Sequence, residues 1–294
     1  MTANPTTRWL PVACVLAGAS MWGVVWYPMR LLDQGGLAGL WLTLVIYASA
    51  LAFSLPRTWR GVAEWRASPR LMLLLMAAAG WTNIAFVEAV LNGNILRVLL
   101  LFYLSPLWAV LMARLVLHER ISRLAFASLA IAMSGALVML WNPALGAPWP
   151  RSGADWYALS AGFAFALSNV IVRKAQNVSV SAKSLAVWFG VTVLAAVLIG
   201  VWGLPAPRAG GDIFLGAVAL GLFGILVMTV LVQYGVTHMP VHRSAVLALV
   251  ELVAGAASQQ LLTEEIVTAR EWFGGALIVT GAYLVARATV GPKG

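Results

Sequence analysis

The sequence predicts an all-α membrane protein with ten transmembrane helices in two inverted five-helix repeats. Three observations lead there: an apolar composition, ten apolar runs of bilayer length, and basic residues gathered on one side of the links between them.

Of the 294 residues, 62% are hydrophobic and 10% are charged. Soluble chains are about half apolar and about a quarter charged, so a globule built from this chain lacks the polar side chains to face water all round. That composition excludes a disordered chain and an ordinary cytosolic enzyme. A net charge of +9 would point to nucleic acid in a soluble domain, but here 19 Lys and Arg lie thinly between apolar runs. The surplus therefore reads as membrane topology, with lipids rather than nucleic acid as the surroundings. The one cysteine, Cys14, lies inside the first run and has no internal disulfide partner.

The runs cover about 10–30, 38–56, 70–91, 94–116, 123–141, 154–172, 182–202, 212–235, 242–262 and 270–287. Each is close to the ~20 residues that carry a helix across hydrocarbon. The first follows Arg8 and resembles the later ones, so it is read as a retained helix rather than a cleaved signal. The second ends at Pro56, before a link to Pro69 that holds Arg57, Arg60 and Arg66. Asn92 and Gly93 form the turn between the third and fourth. A Pro/Gly-rich stretch, 142–150, follows the fifth. Arg173 and Lys174 close the sixth, Pro205 and Pro207 break the chain after the seventh, and Pro240 marks the turn between the eighth and ninth. Thr268 and Glu271 make a capping box that opens the tenth. The runs lack the alternation of a membrane β-barrel, and lipid then leaves helices as the structure that satisfies the backbone.

Orientation follows from the links. With the N-terminus inside, the inner side receives Arg8, Arg57, Arg60, Arg66, Arg70, Arg120, Arg123, Arg173, Lys174, Lys183, Arg243, Arg287 and Lys293, thirteen in all. The outer side receives four: Arg30, Arg151, Arg208 and Arg270. The positive-inside rule then places both termini in the cytoplasm.

The halves also resemble each other. Residues 16–30, LAGASMWGVVWYPMR, align with 159–174, LSAGFAFALSNVIVRK, setting Arg30 opposite Arg173 at an offset of 143. Residues 115–135 align with 261–281 at an offset of 146, pairing Glu119 with Glu265 and Gly135 with Gly281, and the same register pairs Arg97 with Arg243. The repeats are expected at 1–146 and 147–294. Five crossings each make the second half enter from the opposite side, the frame on which carriers alternate access.

The order of these segments resembles the drug/metabolite transporter superfamily, in particular its EamA-type ten-helix exporters. The resemblance rests on MWGVVWYPMR (21–30), SPLWAVLMARLVLHERISRL (105–124), SGALVML (134–140), ALSNVIVRK (166–174) and LLTEEIVTAREWFGGALIVTGAYLV (261–285). It implies export of small metabolites, amino acids among them, from the bacterial inner membrane through a central cavity. This chain departs from the family where a proline is common in the ninth helix: Glu251 and Leu252 stand there, aligned with Ser105 and Pro106.

Candidate site residues are the polar groups inside apolar runs, where a charge must be paired, neutralised or hydrated. Glu251 lies mid-run beside a small, partly polar stripe of Ala248, Gly255 and Gln259, facing either a cavity or another helix. Glu88 follows Trp81 by two helical turns, with Asn83 in the same run, offering an aromatic and amide surface or an interfacial carboxylate. Arg97 and Arg243 each open a run after a short turn. They fit either anchors or gates that receive a carboxylate or pair with Glu88 and Glu251. Trp22 and Trp26 lie one turn apart and suit a cavity wall. Seven of the 14 tryptophans, Trp9, Trp41, Trp59, Trp65, Trp149, Trp202 and Trp272, are expected in the interfacial belt. Tyr103, Asn169, Gln233 and Tyr234 bring hydroxyl and amide groups to the interior, for a zwitterion or for interhelical bonds. Glu119 and Glu265, at run edges, suit a helix N-terminus.

Catalysis finds no motif here. His118, His238 and His242 form no metal pattern with Cys14, and no Walker A or dinucleotide fingerprint occurs, so neither a metal nor a cofactor is expected. The reading is an exporter of amino acids or related amphipathic compounds working by alternating access, its site formed mainly by helices one, three, four, six, eight and nine. A broad drug or toxic-cation exporter is the alternative. A membrane-embedded lipid enzyme and a structural scaffold stand behind it. Monomer and homodimer are both open.

Overall fold

The computed structural model describes residues 5–142, 149–264 and 266–287, with side chains from Trp9 onward. Glu265, Lys293, the Arg8 side chain and the expected repeat boundary at 146/147 lie outside what is described.

Regular structure among the described residues is helical throughout. Span one is α1 (Pro5–Val24) and α2 (Trp26–Gln34), and span two is α3 (Gly39–Thr58) with a 3-10 extension, Trp59–Ala67. Span three is α4 (Pro69–Asn92), span four is α5 (Ile95–Phe102) with α6 (Ser105–Val116), and span five is α7 (Arg123–Leu140). Span six is α8 (Gly153–Lys174) and span seven is α9 (Val180–Val201). Span eight runs α10 (Gly211–Ala219), a π-helical turn (Leu220–Ile225) and α11 (Leu226–His238). Span nine is α12 (Val241–Ala248) with α13 (Val250–Leu262), and span ten is α14 (Ala269–Arg287). Among the described residues nine spans are long and apolar enough to cross a membrane. The tenth, α14, has 19 residues but opens with Arg270 and Glu271, which dilute its apolarity. The protein is thus an all-α polytopic membrane protein.

The helices begin where the sequence supplies caps. Ser122 accepts the Ala125 amide, Ser179 accepts the Ala182 amide, and Ser152 with Asp155 forms a reciprocal capping box at α8. The expected Thr268–Glu271 box opens α14, with the Thr268 amide donating to Glu271 at 2.7 Å. These bonds satisfy amide groups that a helix start leaves free.

Packing follows a pseudo-two-fold arrangement. α4 lies against α8 as α1 lies against α11, and α6 against α8 as α1 against α13. α7 packs on α14 and α3 on α9, each pair across the axis. The closest approaches repeat the sequence offset. A Cβ at Gly135 would collide with the Gly274 carbonyl oxygen, and one at its counterpart Gly281 would lie 2.7 Å from the carbonyl oxygen of Ser128. Ser128 is itself 146 residues before Gly274, so both contacts are one contact seen twice. Small residues let the backbones approach where lipid offers no hydrophobic gain on helix association.

Buried cores lie between the helices, one around Leu129, Met139, Leu247, Ile278 and Val285 and another around Leu42, Ile46, Trp188 and Met228. Leu73, Phe126, Leu215 and Phe223 are exposed on the outside, as lipid contact requires. Trp9, Trp59, Trp149, Trp202 and Trp272 are exposed near span ends, in keeping with a belt. Trp65 departs from that expectation: its indole N–H donates inward to the Ala182 carbonyl at 3.0 Å. The Trp41 indole nitrogen is likewise buried.

Candidate functional site

Spans one, four and nine are broken, whereas span eight passes through its π-helical turn without a break. Pro28 has no amide hydrogen for the Val24 carbonyl, and α1 ends at Val24. Pro106 likewise leaves the Phe102 carbonyl without its helical donor, and α5 ends at Phe102. Gly162 brings α8 onto that freed carbonyl: a Cβ there would be 2.5 Å from the Phe102 oxygen. Span nine has no proline, yet it tightens at Leu249, whose amide bonds Val246 at 3.2 Å while Leu252 bonds Leu249 at 3.0 Å. Tyr103 and Leu249 are 146 residues apart, so the fourth and ninth spans break at equivalent positions.

The two breaks meet. Tyr103, at the end of α5, lies beside Glu251 in the first turn of α13. The carboxylate thereby has a phenol neighbour and the positive end of a half-helix. One turn farther, Gly255 packs on Gly23 of α1, whose own Cβ would collide with the Glu251 carbonyl oxygen. One turn beyond that, Ser258 accepts the Trp26 indole N–H at 2.9 Å. Glu251, Gly255 and Ser258 therefore form one face of α13 against span one. The small stripe beside Glu251 serves at Gly255 as a helix contact.

The remaining candidates divide. Asn83 accepts the Tyr47 hydroxyl from α3 at 2.8 Å, whereas Trp81 donates to Ser160 of α8 at 3.1 Å. Two residues apart on a helix, they point to different neighbours and do not make one aromatic and amide surface. Glu88, in the last turns of α4, accepts the Asn92 amide at 3.3 Å, near the span end. Trp22 packs with the apolar cluster of Leu42, Ile46 and Met228. Asn169 of α8 is half-buried and Gln233 of α11 is buried, its side-chain oxygen without a hydrogen-bond partner among the described residues. Tyr234 stacks on His238 with ring centroids 4.2 Å apart.

Both arginines are engaged by protein groups. Arg97 is buried and pairs through Nε with Asp155 at 2.8 Å, and its Nη2 reaches the Trp149 carbonyl. Asp155 supplies the carboxylate that sequence reasoning sought in Glu88. Arg243 donates to the carbonyls of Val285 and Ala286 at 3.1 and 2.9 Å, capping the end of α14. Arg270 does the same for α7, bonding Val138 at 2.9 Å and the Trp141 carbonyl. Cations suit helix C-termini, where carbonyls point outward unpaired.

The two ends of the molecule differ. At one, Glu119 accepts the Val241 amide at 3.1 Å and contacts His242 at 3.1 Å and Arg173 at 3.7 Å. Beside it Arg173 donates to the Thr237 carbonyl at 2.6 Å, and the fully buried Lys183 to the Thr237 hydroxyl at 3.2 Å. At the other end a cleft of about 520 Å³ is lined by Tyr27, Arg30, Leu31, Gln34, Thr263 and Glu264. Asp155, Ser258, Tyr47 and Thr237 do not stand out in the sequence. Their roles come from contacts across 36 to 232 positions, to which no local pattern points.

Comparison with known proteins agrees with this architecture. Residues 152–287 match the EamA-like transporter family. The chain is similar to protein RarD of Salmonella typhimurium, at 26% identity over 53% of this chain and 52% of the relative. It is also similar to an uncharacterized transporter of Pseudomonas aeruginosa, at 24% identity over 57% and 56%. The chain thus spans about half the length of these relatives. A solved crystal structure shares the fold over 96% of both chains, with a TM-score of 0.75 and 18% identity. The chain is therefore a multi-pass membrane protein whose residues 152–287 are similar to the EamA-like transporter family and whose fold, over nearly its whole length, is that of the solved structure.

Proposed function

We propose that this protein is a carrier that exports small amphipathic metabolites, amino acids or related compounds, across the bacterial inner membrane by alternating access. The observation that carries the reading is the placing of Glu251 beside Tyr103 and against Gly23, where interrupted spans from opposite halves meet. Interrupted helices at a repeat interface supply half-helix ends and freed carbonyls to a solute. Glu251 takes an ammonium group in this reading, the Gln233 oxygen, without a hydrogen-bond partner among the described residues, and Asn169 accept or orient polar hydrogens, and Trp22 and Trp26 face the apolar part. The halves, residues 1–146 and 147–294, rearrange around that point, with both termini in the cytoplasm. EamA-like similarity in the second half supports transport as the class of activity.

A specific observation favours a second reading, export of organic cations. The arginines expected to receive a carboxylate are bonded to Asp155 and to helix-end carbonyls, whereas Glu251 is the acid beside the breaks. Such a site recognises an ammonium without requiring a carboxylate on the same molecule.

Flux into liposomes holding the purified protein tests both. Amino acids are compared with the amines that lack their carboxyl group. Saturable flux of amino acids supports the first reading, and flux of amines alone supports the second. Failure of both classes to move, in protein that is folded and inserted, overturns the carrier reading.

A further inference from the structure

We propose that Glu119, with Arg173 and His242, is a latch that holds one end of the carrier shut while the mirror-related end stands open. This rests on the carrier reading above and assigns its gating residues.

Repeat-related positions at the two ends are packed differently. Adding 143 to Tyr27, Arg30, Leu31 and Gln34 gives Val170, Arg173, Lys174 and Asn177, and subtracting 146 from Thr263 and Glu264 gives Leu117 and His118. In the first set the residues line a cleft of about 520 Å³ between the ends of α2 and α13. In the second set Lys174, Asn177 and His118 are exposed like their counterparts, but the places of Tyr27 and Arg30 are filled: Val170 is buried and Arg173 is half-buried. Val170 is 1% exposed and joins Ala109, Ala113 and Val241 in an apolar cluster that Leu117 also touches. Two repeats with the same kind of surface are thus closed at one end and parted at the other. That asymmetry is what a single state of an alternating carrier has.

Chemistry at the closed end says what keeps it closed. Glu119 sits in the loop between α6 and α7, after His118, whose φ of 53° turns the chain. Its carboxylate receives the Val241 amide at the start of α12, contacts His242, and lies 3.7 Å from Arg173 at the end of α8. One side chain therefore ties span four to spans six and nine. Arg173 extends the tie to span eight through the Thr237 carbonyl, and Lys183 brings in span seven through the Thr237 hydroxyl. At the open end the counterpart of Arg173 is Arg30, which has no ion pair or hydrogen bond among the described residues and lines the cleft with Glu264. The counterpart of His242 is Leu96, and that of Glu119 is Glu265, which lies outside the described residues.

Glu119→Gln is the informative substitution. It preserves an acceptor for the Val241 amide and removes the charge that Arg173 and His242 face. The experiment uses reporters at mirror positions, Tyr27→Cys in the cleft and Val170→Cys in the closed end, each in full-length protein whose Cys14 is replaced by alanine. Labelling is by a membrane-impermeant maleimide in liposomes opened to both faces. With Glu119 present, Tyr27→Cys reacts and Val170→Cys is protected. With Glu119→Gln, reaction at Val170→Cys rises roughly tenfold, as expected for loss of charge-assisted bonds, and reaction at Tyr27→Cys falls. His242→Phe produces the same opposed changes at smaller size, and it carries the test if Glu119→Gln does not fold.

Opening at Val170→Cys with Tyr27→Cys unchanged would mean local fraying and would overturn the latch, as would no change at either position. Solute flux measured on the same preparations separates this from the carrier reading. Flux without opposed labelling removes the latch and leaves the carrier. Opposed labelling without flux of any tested solute removes the carrier reading and leaves a two-state membrane protein.

Discussion

Glu251 lies inside an apolar span and Asp155 at the start of one, and their surroundings give them different work. Asp155 is 2% exposed, accepts the amides of Arg151 and Ser152, and pairs with Arg97 at 2.8 Å. Its bonding is complete within the protein, and it belongs to the structure of the α8 start. Replacing it by asparagine leaves the Arg97 charge buried without its counter-ion. Removing one partner of such a pair costs about 3 kcal/mol, so Asp155→Asn is expected to lower thermal unfolding markedly. The double change Arg97→Met and Asp155→Leu recovers much of the loss, because the uncompensated charge is gone; unfolding temperatures of the purified variants and the parent check this. Glu251 has Tyr103 beside it and sits at a helix break. Glu251→Gln retains a group able to bond Tyr103, so folding and insertion are expected to match the parent. Amine flux is expected to fall by a factor of ten or more, since a neutral amide replaces the charge that offsets ammonium desolvation. Unchanged flux in the Glu251→Gln protein would place the solute elsewhere.

Elements show why some of this is legible in the sequence and some is not. The ten spans are readable because a helix in lipid writes itself as an apolar run of fixed length, and even α14, diluted by Arg270 and Glu271, stands out as one. Two of the three interruptions follow Pro28 and Pro106 and have a visible cause in the chain. The break at Leu249 has no proline to announce it. It arises because span nine packs as the mirror of span four, a demand of the other half of the chain. Tyr103 and Glu251 are each recognisable as interior polar groups, but their juxtaposition joins positions that no periodicity relates. Arg97 shows its need for a carboxylate without showing the supplier, because Asp155 looks like an ordinary residue at a run edge. Gly135 and Gly281 align from sequence, and their packing supplies the reason. Gly135→Leu would force α7 from α14 along its closest line. Overpacking of this kind costs about 1–3 kcal/mol and more where both sides are backbone, while Gly135→Ala is milder. Thermal unfolding of the two variants, in that order of severity, tests the packing; equal stability of Gly135→Leu and the parent would contradict it.

For the whole molecule, direction in the membrane fixes what the asymmetry of the two ends means. The basic residues of the links divide thirteen to four, and Arg173, Lys174, Lys183, Arg120 and Arg123 all fall on the side that bears the Glu119 cluster. Lys and Arg are retained on the cytoplasmic face, so the closed end is expected to face the cytoplasm and the cleft at Arg30 to face outward. If the export proposed above holds, that orientation leaves the discharge side open at rest, and the Glu119 contacts must break before reloading from inside. Arg60→Cys, in the link after span two, and Arg208→Cys, in the link after span seven, report the two faces without touching the core, once Cys14 is alanine. In intact cells an impermeant maleimide is expected to label Arg208→Cys and to spare Arg60→Cys until the membrane is broken. The reverse result would turn the molecule over. The cleft would then face the cytoplasm, the resting protein would be ready to load, and the Glu119 cluster would become the barrier to discharge.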